Sequence, residues 1–154
     1  MYCKYCGKEI SEDSRFCRHC GKALEEVAPK GEKETKVFHS GFATNAKTLP
    51  MINEWLQQQA IEIDTISINT GRVQMIFVIE MAITRLELTY RRVQTDKRYT
   101  IKAFSGMASP FNPGFEKMDK EYEQWKRENP DKKVVWERRC SDGEAINTIY
   151  CLYV

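Results

Sequence analysis

Four cysteines crowd the first 20 residues as two Cys-x-x-Cys pairs, Cys3-Lys4-Tyr5-Cys6-Gly7 and Cys17-Arg18-His19-Cys20-Gly21, with ten residues between the pairs. No other feature constrains the fold as tightly. Two intervening residues let one tight turn aim both sulfurs at a single ion, and a glycine after each pair permits the positive φ that turns backbone N–H groups toward the sulfurs. Two such turns facing each other complete a tetrahedral S4 shell. A closed shell has no position for substrate, so the expected ion is a structural Zn2+ held by Cys3, Cys6, Cys17 and Cys20. Iron is the minority alternative for the same ligands, and two disulfides would require an oxidising compartment. With four thiolates at hand, His19 reads as a spacer.

The longer pattern, Tyr2-Cys3-x-x-Cys6-Gly7-Lys8-x-Ile10 followed by Phe16-Cys17-x-x-Cys20-Gly21, resembles the short zinc-ribbon family found at the termini of many prokaryotic proteins. The resemblance covers residues 1–24. It implies a metal-stabilised module appended to an unrelated domain, and no particular activity. The motifs of residues 37–154 bring out no such resemblance.

A ribbon of this size cannot fold without its metal, whereas the remaining chain is long enough to bury a core of its own. Between them, residues 25–36 (EEVAPKGEKETK) are charged and core-poor, which reads as a linker. The expected domains are therefore 1–24, a zinc ribbon; 25–36, a linker; and 37–154, an α+β domain.

Within residues 37–154 the pattern alternates. Val37 to Thr44 reads as a strand, and Thr48-Leu49-Pro50 as the start of a helix reaching Gln59, with Ile52, Trp55, Leu56 and Gln59 on one face. Ile61 to Asn69 reads as a strand ending in an Asn69-Thr70-Gly71 turn. Val73 to Ile79 is apolar on both faces, as in a central strand covered on both sides or one at a dimer interface. Leu86, Leu88 and Tyr90 alternate, as do Tyr99, Ile101 and Ala103, and these read as a strand pair. Asn112-Pro113 opens a second helix ending at Asn129-Pro130, with Phe115, Met118, Tyr122 and Trp125 in a stripe that covers a sheet face. Two closing strands flank Asp142-Gly143. The expected class is α+β: a zinc ribbon followed by an antiparallel sheet with two helices.

The formal net charge is +2; four thiolates and a divalent cation bring the loaded protein near zero. No strong positive field remains to hold nucleic acid or an anionic membrane. The longest apolar run stops at Glu80, far short of the roughly 20 residues of a membrane span. A ligand at position 3 leaves no room for a targeting segment, so a reducing, cytoplasmic setting is expected. Arg91, Arg92, Lys97 and Arg98, flanked by Tyr90 and Tyr99, form a basic tip and are the candidate phosphate contacts. Lys4, Lys8, Arg15, Arg18 and Lys22 of the ribbon would extend such a surface, diluted by Glu9, Glu12 and Asp13. Cys140 and Cys151 read as buried free thiols on one sheet face, too far apart to bond. Glu80 reads as a solvent-reaching or Arg85-paired carboxylate. Only two histidines occur, and neither a phosphate-binding Gly loop nor a paired-acid motif is present. These features favour a non-enzymatic binding or adaptor protein, with a protein partner or a second copy as ligand and no membrane partner. A nucleic-acid-associated regulator is the alternative.

Overall fold

The computed structural model describes residues 2–3, 5–11, 16–22, 31–76, 79–107 and 114–154. The chain divides into two compact units, Met1–Glu32 and Lys33–Val154. The second is α+β: β1 (Glu34–His39), α1 (Asn45–Gln58), β2 (Ile61–Gln74), β3 (Ile79–Arg92), β4 (Thr100–Met107), α2 (Gly114–Glu128), β5 (Val134–Ser141) and β6 (Ile146–Tyr153). The strands form two antiparallel three-stranded sheets, ordered β1-β3-β2 and β4-β6-β5.

The two sheets pack through one core. Leu86, Leu88, Tyr90 and Ile68 from the first join Ile101, Tyr150 and Leu152 from the second and Ile52 and Leu56 of α1 in one buried cluster. α2 covers the far face of the second sheet, seating Met118 and Tyr122 on Phe104, Ile149 and Cys151. The expected stripe along this helix does cover a sheet face: the Phe104 and Tyr122 rings lie 5.2 Å apart, and Trp125 and Tyr153 4.9 Å apart. The helix opening expected at Asn112-Pro113 lies outside the described residues. β6 is buried from Ile146 to Leu152, because β4 and β5 take both its edges and the two cores take both its faces.

Several expectations are corrected. β1 begins at Glu34, inside the stretch read as linker, because Glu34 to His39 pair in register with Tyr90 to Arg85; residues 25–30 lie outside the described residues. Asn69-Thr70-Gly71 is no turn. β2 runs through it with a register shift at Asn69/Thr70. Gly71 has no positive φ; a Cβ there would stand 3.1 Å from Thr84 Cγ2, so glycine serves close strand approach instead. The reversal comes after Gln74, where Met75 and Ile76 are 51% and 90% exposed instead of lying in a covered strand. Phe77 and Val78 lie outside the described residues. The strand covered on both faces is β6.

The segments around Leu88 and Ile101 are not a pair either. β3 has β1 on one side and β2 on the other, so β4 crosses to the second sheet and pairs with β6. α1 starts at Asn45, not Thr48, and Pro50 sits inside it. Its start is fixed from another element: the buried Glu80 carboxylate accepts the Asn45 N–H at 2.5 Å, an anion at the positive end of the helix. Glu80 thus neither reaches solvent nor pairs with Arg85, whose partner is Glu87.

At Ile101 the outer edge of β4 is closed by a side chain. Asn53 of α1 accepts the Ile101 N–H at 2.8 Å and donates to the Ile101 carbonyl at 2.9 Å, repeating the pairing of a neighbouring strand. Asp142 to Ala145 connect β5 to β6, with Ser141 facing Asn147 and Cys140 facing Thr148. This four-residue connection replaces the expected two-residue turn and moves the register. Cys140 and Cys151 consequently face opposite sides of the sheet, Cys140 in the core between sheets and Cys151 under α2. Both are buried and free.

Candidate metal centre

The ribbon is built twice from one local plan. In the first half Cys3 N–H donates to the Lys8 carbonyl at 2.9 Å and Gly7 N–H to the Cys3 carbonyl at 2.8 Å; in the second, Cys17 pairs with Lys22 at 2.9 Å and Gly21 with Cys17 at 2.7 Å. Gly7 and Gly21 close these turns at φ 68° and 70°, where a side chain would be strained. Each turn brings a backbone N–H onto its first sulfur: Tyr5 onto Cys3 Sγ and His19 onto Cys17 Sγ, both at 3.4 Å.

The two turns bring all four sulfurs within 4.8 Å of one another. Cys3 Sγ lies 3.7 Å from Cys20 Sγ, and Cys6 Sγ 3.5 Å from Cys17 Sγ. A tetrahedron with metal–sulfur bonds of about 2.3 Å has sulfur–sulfur edges of roughly 3.8 Å, so the donor set fits one tetrahedral cation. Four sulfurs this close cannot all ionise unaided. The Cys17 thiol is brought down to about 6: burial opposes its ionisation, but the N–H groups of His19 and Cys20 and the neighbouring thiols outweigh it. Cys6 is pushed up to about 12; the Lys8 backbone contact favours its thiolate, but burial and the other three thiols prevail. A cation among them removes that conflict.

Cys3, Cys17 and Ile10 form the ribbon's buried centre. Ile10, an isolated apolar residue in a polar stretch, is the packing residue that metal spacing alone does not reveal. Around this centre Tyr2 is 71% exposed and Phe16 64% exposed. The Lys22 ammonium stands 4.7 Å from the Tyr5 ring, and Arg18 donates to His19 Nε2 at 3.4 Å, so the His19 imidazole stays outside the sulfur set. Lys4, Glu12, Asp13 and Arg15 lie outside the described residues.

The basic cluster takes another form than a hairpin tip, because its flanking strands belong to different sheets. Arg91 pairs with Asp64 at 3.1 Å and Arg92 with Glu34 at 2.8 Å. Arg92 holds the Glu34 carboxyl below the usual carboxylate range, chiefly by hydrogen bonding. Arg98 donates to the Gln57 carbonyl at the end of α1 and to the carbonyls of Thr95 and Lys97, a cation at a helix C-terminus. Lys97 is exposed. Three of the four candidate phosphate contacts therefore have internal partners.

No helix among the described residues is long and apolar enough to cross a membrane. No curated protein and no solved structure matches the chain. Residues 2–24 match the family model of the zinc-ribbon domain, over the segment that gathers the four sulfurs.

Proposed function

We propose that the chain is a non-enzymatic binding protein in which Cys3, Cys6, Cys17 and Cys20 hold one structural zinc ion and the ribbon presents Tyr2 and Phe16 to a protein partner. The exposure of these two rings, 71% and 64% on a module with so small a buried centre, is the observation that carries the reading. Aromatic side chains dominate interface energetics because they bury large areas at little entropic cost. A metal-held frame fixes them in advance and so lowers the cost of binding. Four thiolates at tetrahedral spacing suit zinc and leave no open coordination site for chemistry. The internally paired arginines weigh against the nucleic-acid alternative, since phosphate contact would first have to break the Asp64 and Glu34 pairs.

Photocrosslinking tests the proposal. A benzophenone amino acid at position 16 of the zinc-loaded protein in its native host is expected to capture one discrete protein. The same group at exposed Gln124 serves as the control. Equal labelling from both positions, or capture of nucleic acid from position 16, would sink the partner-protein reading.

A further inference from the structure

The four ribbon sulfurs differ in what they face. Cys6 and Cys20 are exposed, whereas Cys3 and Cys17 are buried with Ile10 in the ribbon's centre. Close contacts run between the two turns. Exposed Cys6 Sγ stands 3.5 Å from buried Cys17 Sγ, and exposed Cys20 Sγ 3.7 Å from buried Cys3 Sγ. Each outer sulfur thus has an inner one beside it. An accessible thiolate with a second cysteine in reach to resolve it is the arrangement of a redox-sensitive thiol. Cys140 and Cys151 lack both properties: each is buried, and they face opposite sides of the second sheet.

We propose that Cys6 and Cys20 are sites of oxidation by hydroperoxides, and that the product is a disulfide across the ribbon, Cys6–Cys17 or Cys3–Cys20. This rests on the metal half of the proposed function, four thiolates around one zinc ion, and not on its partner protein. The outer thiolate attacks the terminal oxygen of the hydroperoxide. The O–O bond breaks, the sulfur becomes a sulfenic acid, and the departing hydroxide or alkoxide takes a proton from solvent. The inner thiolate then attacks the sulfenic sulfur and expels hydroxide, which solvent also protonates. The two sulfurs together lose two electrons, and the hydroperoxide gains them. Closure needs an approach of only about 1.5 Å from the 3.5 Å between Cys6 and Cys17. Groups held this close react as one molecule, at an effective concentration no thiol in solution reaches. The two remaining sulfurs cannot complete a tetrahedral shell, so the ribbon gives up its ion. The frame that holds Tyr2 and Phe16 goes with it, because Cys3, Ile10 and Cys17 are too small a centre to fold alone.

Peroxide titration of the full zinc-loaded chain tests this. Cleavage by trypsin after Lys4, Lys8, Arg18 and Lys22 leaves each ribbon cysteine on its own peptide, so every possible disulfide has a distinct mass. Hydrogen peroxide in molar excess is expected to release the zinc to a chromogenic chelator, faster than the chelator alone removes it. A cross-ribbon peptide pair should appear at the same rate. Two of the six thiols should be lost as the ion comes off, with Cys140 and Cys151 still open to alkylation after unfolding. Dithiothreitol and added zinc should restore the loaded ribbon. Zinc retained under peroxide overturns the proposal. So do disulfides within the pairs, Cys3–Cys6 or Cys17–Cys20, sulfinic or sulfonic products without a disulfide, or a ribbon that cannot be reloaded. A chain that purifies with an ordered ribbon and no metal fails before peroxide is added, and sinks the metal reading together with this one.

Discussion

Removing one hydroxyl tests the buried connection between the two sheets. Tyr150 is fully buried on β6, and its hydroxyl lies 2.5 Å from the Met81 carbonyl and 3.0 Å from Asn45 Oδ1. Asn45 Oδ1 also accepts the Ile83 N–H at 3.1 Å, so one hydroxyl and one amide tie β6, β3 and the start of α1. Tyr150→Phe keeps the ring and its packing. It removes a net hydrogen bond of about 1 kcal/mol and leaves the Met81 carbonyl with only the long 3.4 Å contact from Asn45 Nδ2. An under-satisfied buried carbonyl costs about another 1 kcal/mol. The sum, about 2 kcal/mol, should lower Tm by roughly 6–10 °C for a unit of this size. Urea titration of wild type, Tyr150→Phe, Asn45→Ala and the double variant should return a coupling energy of about 1 kcal/mol between the two sites. A Tyr150→Phe loss below about 0.5 kcal/mol, or strict additivity in the cycle, would refute the argument that this hydroxyl joins the sheets.

Elemental analysis should find one zinc per chain, absent from Cys17→Ser; chelation should remove about 10–16 kcal/mol of ribbon-folding energy yet leave a cooperative calorimetric transition from Lys33–Val154, and loss of all cooperativity would show one shared core. The Asp142 carboxyl is held below its usual range, first by the Ile146 N–H and then by those of Glu144 and Ala145, with Arg72 nearby. A depressed folded-state value means that its stabilisation is full above the unfolded value near 3.9 and is lost as pH falls through the folded one. Asp142→Asn should therefore be less stable than wild type at pH 7, with the gap closing under acid; a gap unchanged by pH would exclude the charge as its source. Gly143 sits at φ 82° with open space around it, so Gly143→Ala should cost about 1 kcal/mol of backbone strain, and a neutral result by urea titration would show that the connection relaxes.

The ribbon was legible because metal chemistry acts over short sequence distances: two residues within a pair and one glycine after it determine where the sulfurs go. The class and most element positions of the second unit were legible for the same reason, since Leu86-x-Leu88-x-Tyr90 and the α2 stripe record burial locally. Pairing was not. β3 and β4 carry the same alternation, and nothing in either says that β1 would return to take the second edge of β3. The start of α1 was misread because its capping anion, Glu80, lies 35 residues away. Met75 and Ile76 were misread because an apolar run has the same letters in a covered strand and at an exposed turn. The pairing of Arg91 and Arg92 was not legible because their acids, Asp64 and Glu34, lie on other strands.

The Asn53 amide has a consequence for growth of the second sheet. By occupying both polar groups of Ile101, it acts as a one-residue strand, and α1 stands where a real one would have to pair at that residue. Among the described residues, β5 is bounded by β6 alone, so its outer edge carries no such amide. An ordered addition beside Ile101 would first have to displace this amide, whereas one along β5 meets no equivalent obstacle, so the two flanks of the sheet are not equally open to a peptide captured from elsewhere or to a misfolded neighbour.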